Sequence, residues 1–462
     1  MASALRTTVN AGPRLDRLPT TALHRRVMWL IGIGMFFDGF DIYVAASVLG
    51  ALLKSGFSTF PLNSVFVQLT FLGTMVGSIV TGFLGDRYGR RFTYQANLLI
   101  FGLAAIASAF VPDMLWLIAM RFIMGIGLGA ENVVGYSTMT EFAPARARGK
   151  WLATVAVFVV SGLPAAALLA SFVIPHYGWR PMFIVGGVGA LIVWYLRKQL
   201  PESPRWLESV GRFDEADKIV KSFEDSAREL GALPPVPAAA PAPAKVGVGA
   251  LFRQPLLPRT IVALVTLFTI NAWLYGFITW IPQFFVKEGM SIATSFSFAL
   301  TMAFGAPIGA AIGAFTADAW GRKPTIITAS VVAIVFAAIY PFVHDAVLLP
   351  LVGFCLTVPI YVLVALLFGV YIPELFPTEV RLRASGITNM FGRSAAVVVP
   401  PLVVILFTRN GVAGVLAFMV ALTVIQIIVV ATLGIEPKSR GLEELDDVAR
   451  SGAGVKAQTV GV

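Results

Sequence analysis

Twelve long apolar runs divide this sequence, and each is long enough to cross a lipid bilayer as a helix. A spanning helix needs about 20 predominantly apolar residues, because each residue adds only about 1.5 Å of rise. The predicted spans are 27–53, 65–84, 93–111, 115–137, 151–174 and 181–199, followed by 260–285, 294–317, 325–343, 347–371, 385–407 and 412–434. This pattern predicts an all-α membrane protein with twelve transmembrane helices in two six-helix bundles.

The composition agrees with a membrane location and excludes several classes of protein. The 462 residues are 57% hydrophobic and 13% charged, whereas soluble domains average about 45–50% apolar and about 25% charged residues. A soluble enzyme and a disordered chain are therefore excluded, and the single cysteine, Cys355, excludes a disulfide scaffold. The sequence contains no P-loop motif, and its three histidines are too scattered to predict a metal site.

The basic residues predict the orientation of the chain. If both termini are cytoplasmic, 29 of the 35 Lys and Arg residues lie in inner tails and loops and four lie in outer loops. Arg121 and Arg393 lie inside spans. This asymmetry is the positive-inside pattern of membrane proteins. It accounts for the net charge of +10 without a nucleic-acid partner.

The spans also predict the domain organisation. The predicted parts are a cytoplasmic tail (1–26), a first bundle (27–199), a cytoplasmic connection (200–258), a second bundle (259–434) and a C-terminal cytoplasmic tail (435–462). The connection begins with helical charge patterning and ends in a stretch rich in proline and alanine, which is typical of a semi-rigid linker.

Charged motifs recur in the two halves at a nearly constant offset. The Asp-Arg-Tyr-Gly-Arg-Arg run at Asp86 reappears as Asp-Ala-Trp-Gly-Arg-Lys at Asp318. The Glu-x-x-Pro-x-x-x-Arg pattern at Glu141 reappears at Glu374, almost the same distance further along the chain. A common offset predicts pseudo-symmetric halves. Transporters built from such parallel repeats bind substrate near the midplane of the bilayer and work by alternating access.

These motifs resemble those of the major facilitator superfamily. The run from Gly82 to Arg91 is similar to the signature loop between that family's second and third helices, and Arg121-x-x-x-Gly with Glu131 resembles its fourth-helix motif. Pro-Glu-Ser-Pro-Arg at Pro201 resembles the branch that holds sugar porters, organic-ion transporters and metabolite:proton symporters, and it echoes weakly at Pro437, at a similar offset. The resemblance implies a two-bundle carrier.

By this resemblance, the charged loop motifs form a cytoplasmic latch that holds the outward-facing state. The alternative is a positive-inside anchor without a gating role, although arginines alone would satisfy that role without the aspartates. The residues assigned to gating are Asp86, Arg87, Arg90, Arg91, Glu141, Arg148, Asp318, Arg322, Glu374 and Arg381.

Carboxylates inside the first span point to proton coupling. A charged side chain at a helix centre costs about 2.5–3.5 kcal/mol on insertion scales, so such residues generally serve a function. Asp38 and Asp41 lie three residues apart and share a helix face, where their repulsion favours binding of a proton to one of them. Asp41 also lies where aromatic-acid symporters and sugar porters carry a Gly-aromatic-Asp motif. The alternative is two hydrated structural aspartates near the outer surface.

Arg121 and Glu131 are further charged residues of the fourth span. They lie ten residues apart, which is about 15 Å along a helix, so they cannot pair with each other. Each needs another partner, and Asp38 or Asp41 is a candidate for Arg121. By resemblance, Arg121 belongs to the proton-coupling network with Asp38, Asp41 and Glu131, and structural contact between helices is the alternative.

Arg393 is the candidate for binding substrate. Its guanidinium group, deep in the eleventh span, is suited to bidentate recognition of a carboxylate, and a similar Gly-Arg followed by proline occurs in aromatic-acid symporters and organic-anion transporters. The alternatives are an internal ion pair, for example with Glu131, and a side chain that reaches the membrane surface. Further polar and aromatic candidates for the substrate site are Asn389, Asn271, Trp273, Tyr275, Phe37 and Tyr43.

The sequence therefore predicts a monomeric secondary transporter, without cofactor or metal, that imports a small organic anion with protons. An aromatic monocarboxylate of the nicotinate or benzoate type is the leading substrate, because the stretches 269–275 and 151–162, which correspond to the glutamine motifs of sugar porters, lack those glutamines. A sugar, a polyol or an organic cation is the alternative cargo, and a non-transporting receptor is the alternative function. The expected location is the cell membrane, as a multi-pass protein of a bacterial inner membrane.

Overall fold

The computed structural model describes residues 9–144, 148–236, 248–376 and 381–436, and every regular element in these ranges is helical. The chain divides into two compact units, Met1–Pro241 and Ala242–Val462. The boundary between them falls inside the predicted connection.

The first unit contains nine α-helices among its described residues. They are α1 (Ala11–Asp16), α2 (Ala22–Lys54), α3 (Phe60–Tyr88), α4 (Arg90–Ser108), α5 (Met114–Phe142), α6 (Arg148–Tyr177), α7 (Arg180–Leu196), α8 (Pro204–Ser209) and α9 (Phe213–Arg228). A 3₁₀ turn, Arg197–Gln199, follows α7.

The described part of the second unit contains eight α-helices. They are α10 (Leu257–Ala272), α11 (Ile281–Lys287), α12 (Ile292–Ala303), α13 (Gly305–Trp320), α14 (Arg322–Ile339), α15 (Leu348–Leu366), α16 (Ile372–Glu374) and α17 (Arg381–Leu433). Two turns of π-helix, Trp273–Phe277 and Leu367–Tyr371, lie within this series.

Ten helical stretches of the described chain are long and apolar enough to cross a membrane. The count is lower than twelve for two physical reasons. The last stretch, Ala384–Leu433, contains the predicted span 385–407 and all but the last residue of 412–434, and it is interrupted at Gly411 by a φ of 62° and a ψ of −158°. Helix α4 covers residues 93–108 of the predicted span 93–111 but is less apolar, because it carries Arg90, Arg91 and polar amides. The chain is a multi-pass helical membrane protein; the number of crossings and the cytoplasmic termini stay predictions.

Small residues bring the helices of the first unit together. Helix α3 packs along α5, and α2 packs along α6. A Cβ atom at Gly129 would lie 1.9 Å from the carbonyl oxygen of Thr74, and one at Gly77 would lie 2.0 Å from that of Ile126. Close backbone approach at small residues is typical of helix pairs in membranes. It brings the backbones of α3 and α5 into direct contact.

The second unit repeats this order of packing. Helix α13 packs along α15, and α10 packs along α17. A Cβ atom at Gly309 would lie 2.2 Å from the carbonyl oxygen of Val358. The same close contact between the second and fourth long helices thus occurs in each unit, as a duplicated chain requires.

Part of the predicted N-terminal tail is folded against the connection. Arg14 donates to Asp217 at 2.7 Å and to Glu224 at 2.8 and 3.0 Å. Glu208 accepts the backbone N–H groups of residues 9–11 at 2.7 to 2.8 Å, which places a carboxylate at the start of α1. Helix α2 begins at Ala22, five residues before the predicted start of the first span.

The docking of α1 is expected to depend on pH through Glu224. The hydrogen bond from Arg14, with a second from Arg17, holds the pKa of this carboxyl below its usual range. The folded pKa is therefore lower than the unfolded value of about 4.3, so the stabilisation is present above that pH and is lost as the pH falls through the folded pKa. We expect Glu224→Gln to accelerate hydrogen exchange of residues 9–18 at pH 7.

The matched control for this change is Glu229→Gln, which alters an exposed carboxylate one residue beyond the end of α9. It should leave the exchange of residues 9–18 unchanged. Equal protection of this segment in Glu224→Gln and in the unaltered protein would contradict the ion-pair account of the docking.

Candidate functional site

Arg121 and Asp41 form an ion pair in the interior of the first unit. Nη1 of Arg121 donates to Oδ2 of Asp41 at 2.6 Å, and neither side chain is more than 2% exposed. The sequence left Asp38 and Asp41 as alternative partners for Arg121. In the structure, the partner of Arg121 is Asp41.

Helix α3 holds the Arg121 guanidinium group from another side. Nε of Arg121 lies 3.4 Å from the hydroxyl of Thr70, and the guanidinium carbon lies 5.0 Å from the centroid of the Phe66 ring. The pair therefore joins α2, α3 and α5. Removing one partner of such a buried pair leaves an uncompensated charge, which costs about 3–5 kcal/mol.

Glu131 has a different cationic partner, Arg197. Nη1 of Arg197 lies 2.6 Å from Oε1 of Glu131, and the two side chains are at most 4% exposed. Arg197 also donates to the carbonyl oxygens of Leu30 and Ile31 at 2.8 and 2.9 Å. The expectation that Arg121 and Glu131 do not pair with each other is confirmed, and Glu131 has its cation within its own unit.

The sequence pattern placed Arg197 among the cations of the inner surface, so its contact in the bundle interior was not predicted. The residue directly follows α7, yet its side chain is fully buried. Gly34 makes room for it, since a Cβ atom there would lie 2.0 Å from Nη2 of Arg197. A glycine in the first span and an arginine at the end of the sixth are the signals that could have revealed this contact.

Asp38 lies on a small cavity of the first unit. The cavity has a volume of about 10 Å³, and its polar lining residues are Asp38, Asn97 and Glu131. These three side chains are 2%, 5% and 3% exposed. A space of this size fits about one water molecule. Phe37 also lines the cavity, whereas Tyr43 is buried elsewhere on α2.

The polar substrate candidates of the second unit lie on α10 and α17. Arg393 and Asn389 are both partly buried on α17. Asn271, near the end of α10, donates its amide to the carbonyl oxygen of Leu267 at 2.7 Å. Gly392 lies against this residue, since a Cβ atom there would be 3.1 Å from Nδ2 of Asn271. The backbone next to Arg393 thus meets α10 at Asn271.

Two aromatic candidates lie in the π-helical turn that follows α10. Trp273 is fully buried and donates its indole N–H to the hydroxyl of Thr423 at 2.9 Å. Tyr275 is partly exposed. Single π-turns inside α-helices frequently occur at functional sites. Tyr275 is therefore the more accessible candidate, and a substrate role for either residue stays a prediction.

The charged loop motifs form the same arrangement in each unit. In the first unit, Nε and Nη2 of Arg90 donate to Glu141 at 3.2 and 3.1 Å. In the second, Nε and Nη2 of Arg322 donate to Glu374 at 2.9 and 3.0 Å. The repeated sequence motifs therefore form an equivalent ion pair in each unit.

A further carboxylate caps a helix in each unit. Glu202 accepts the backbone N–H of Arg90 at 2.9 Å, and Glu436 accepts that of Arg322 at 3.0 Å. A carboxylate at a helix N-terminus satisfies unpaired N–H groups and favours the helix dipole. The sequence matched the proline before Glu202 with the proline after Glu436. The structure corrects that match, because the two glutamates are the equivalent residues and the prolines lie on opposite sides of them.

The remaining gating candidates divide into two groups. Arg87 and Arg91 are exposed, and Arg91 donates to the carbonyl oxygen of Lys198 at 2.9 Å. The side chains of four other candidates lie outside the part of the structure that is described, namely Asp86, Arg148, Asp318 and Arg381. A gating role for the whole set stays a prediction.

Gly89 and Gly321 are expected to be intolerant of alanine. Their φ values are 95° and 103°, a region that strains other residues. A Cβ atom at Gly89 would lie 2.3 Å from Oε2 of Glu202, and one at Gly321 would lie 3.0 Å from a carboxylate oxygen of its capping glutamate. We expect each alanine variant to lose about 1–3 kcal/mol, with a larger loss at Gly89, measured by thermal unfolding in detergent.

Gly289→Ala separates backbone strain from crowding. Gly289 has a φ of 94° but no atom within 4 Å of a Cβ position, so its alanine variant carries the strain alone. Equal losses of stability at Gly89 and Gly289 would contradict the close contact with the capping glutamate.

The chain is similar to known membrane transport proteins over most of its length. A family model described as the Major Facilitator Superfamily matches residues 31–400. The inner membrane metabolite transport protein YdjE of Escherichia coli is 37% identical over 445 residues, which cover 95% of this chain and 98% of that protein. The niacin transporter NiaP of Acinetobacter baylyi is 31% identical over 440 residues, which cover 94% and 98%.

A solved structure shares the fold. The xylose transporter XylE of Escherichia coli, in a partially occluded inward-open conformation, superimposes with a TM-score of 0.72 at 18% identity. The match covers 90% of this chain and 99% of XylE. At this identity, the similarity concerns the fold alone.

Proposed function

The chain belongs to the Major Facilitator Superfamily, and on this premise we propose that it imports a small aromatic monocarboxylate together with protons. The family and the relatives are membrane transporters of small molecules, so the chain is a transporter and not an enzyme. In this proposal it works by alternating access as a monomer in a bacterial inner membrane. Nicotinate and benzoate are the leading substrates.

The observation that carries the proposal is the buried pair of Asp41 and Arg121. A carboxylate that contacts a permanently charged guanidinium group can exchange that contact for a proton, and the exchange changes the charge of the bundle interior. Each proton that moves inward gains about 2.3 kcal/mol per 100 mV of membrane potential. Asp41 is therefore the proposed site of the driving proton, and Arg121 is its electrostatic partner.

Arg393 is the proposed partner of the substrate carboxylate. A guanidinium group presents a planar array of donors that matches a carboxylate in two parallel hydrogen bonds. Asn271 lies against the glycine that precedes Arg393, and the partly exposed Tyr275 supplies an aromatic surface one turn further along. One relative is a niacin transporter, which supports a pyridine carboxylate as cargo.

A binding screen tests the substrate class. Purified protein in detergent should gain thermal stability with nicotinate or benzoate, because a ligand that binds only the folded state raises its stability. Hexoses, polyols and quaternary amines should give no shift. A shift with a hexose, a polyol or an amine and none with the aromatic acids would replace the proposed substrate with that class of ligand.

A further inference from the structure

The cavity of the first unit brings together polar groups that the Asp41–Arg121 pair does not use. Asp38 and Glu131 contribute carboxylates from α2 and α5, and Asn97 contributes an amide from α4. Oε1 of Glu131 contacts Arg197, whereas, among the described residues, Nδ2 of Asn97 and Oε2 of Glu131 have no hydrogen-bond partner. All three side chains are at least 95% buried.

Such groups are costly unless something satisfies them. A buried polar group without a hydrogen bond destabilises the fold, and buried water molecules typically satisfy such groups with two to four hydrogen bonds. The cavity has a volume of about 10 Å³, which is about the space that one water molecule needs. Its polar lining offers both acceptors and a donor.

We propose that this cavity holds one water molecule joining Asp38, Asn97 and Glu131, and that the cluster carries a second transported proton. The inference rests on the proposed proton symport and extends it. A proton on Asp38 passes to the water, while the water gives a proton to Glu131. The net result is the transfer of one proton between the carboxylates, and the water is restored.

The charged groups around the cluster give this transfer a direction. Asp38 lies one helical turn from Asp41 on α2. Glu131 is in contact with Arg197, whose guanidinium carbon lies 4.8 Å from the centroid of the Tyr94 ring. The Tyr94 hydroxyl donates to the carbonyl oxygen of Val134, so it does not donate to Glu131. With cytoplasmic termini, the end of α7 faces the cytoplasm, and the transfer runs from the depth of Asp41 towards that side.

A second proton has a measurable consequence. A monocarboxylate that crosses with one proton carries no net charge, whereas the same anion with two protons carries one positive charge inward. Uptake should then respond to membrane potential, with accumulation rising about tenfold for every 59 mV, inside negative. The unaltered protein in liposomes, at equal pH on both sides and with the potential set by a potassium gradient and valinomycin, should show this response with labelled nicotinate.

Substitutions of the residues that line the cavity test whether the cluster causes the response to membrane potential. Asp38→Asn should abolish the potential-driven uptake at equal pH. Asn97→Leu should reduce the response without changing any charge, and Gln95→Leu is its matched control, since it removes an amide of the same helix that does not line the cavity. Glu131→Gln should act like Asp38→Asn if the protein tolerates an unpaired Arg197.

The outcomes separate this inference from the proposed function. Uptake that responds to a pH difference but not to potential in the unaltered protein overturns the second proton and leaves the symport intact. A potential response that survives in both Asp38→Asn and Asn97→Leu also overturns it. Absence of any uptake driven by a proton gradient would instead overturn the proposed symport.

Discussion

Asp41→Asn should abolish uphill uptake of labelled nicotinate while exchange between two nicotinate pools remains measurable. The substitution removes the member of the buried pair that can bind and release a proton, whereas Arg121 keeps its charge. Transport proteoliposomes with an imposed pH difference measure the first activity, and preloaded proteoliposomes without a gradient measure the second. Accumulation should fall to the level of liposomes without protein.

Two further variants control for folding. Breaking the pair is expected to cost about 3–5 kcal/mol of stability, and Asp41→Asn combined with Arg121→Gln should recover part of that loss because neither charge remains. Asp113→Asn changes a carboxylate at the start of α5 that caps the N–H groups of Leu115 and Trp116; asparagine also caps, so uptake should be normal. A folded Asp41→Asn protein that still accumulates nicotinate would contradict the coupling role of Asp41.

Arg393→Ala should weaken nicotinate binding by roughly 10- to 100-fold. Hydrogen bonds to charged groups contribute about 1.5–3 kcal/mol, and a factor of ten corresponds to about 1.4 kcal/mol. Isothermal titration calorimetry of the detergent-solubilised protein measures the change. Nicotinamide has the same ring without the carboxylate charge, so its affinity should change much less, and Arg393→Lys should bind nicotinate with an intermediate affinity.

Arg409→Ala is the matched control for this prediction. Arg409 is an exposed arginine of the same helix, so its removal changes the net charge equally without affecting the proposed substrate contact. Unchanged nicotinate affinity in Arg393→Ala, or an equal loss in both variants, would remove Arg393 from the substrate site.

Most of the fold was predictable because lipid imposes one strong rule on the chain. Backbone groups in hydrocarbon must be satisfied within a helix, so apolar length alone located the long helices. The rule does not specify where each helix ends or how the chain turns there. Hydropathy separated the spans 385–407 and 412–434, but it did not specify the backbone conformation between them, where Gly411 has a φ of 62° and a ψ of −158°.

Contacts in the site were predictable where the spacing of two residues along a helix fixes the distance between them. Ten residues of helix separate Arg121 from Glu131, so the absence of a pair between them followed from helix dimensions, and the repeat predicted equivalent charges in the two units. The correct partner of Arg121 required coordinates, because Asp38 and Asp41 share a face and are chemically alike. Arg197 was missed because a long side chain after the last apolar residue can reach water or turn back into the bundle.

The substrate is less constrained by the sequence than the fold. Asn271 and Trp273 have the residue types of a binding site, yet each also forms a hydrogen bond within its own unit. The same residue types therefore serve packing or recognition, and the spacing of residues in the sequence does not distinguish the two roles.

The central claim is that a proton gradient drives uptake of an aromatic carboxylate. The most direct measurement uses proteoliposomes of the unaltered protein with an acidic exterior and the membrane potential clamped at zero. Labelled nicotinate or benzoate should accumulate above the external concentration, and a protonophore should release it. Equal concentrations of the label inside and outside, reached at a rate that does not depend on the pH difference, would contradict the account.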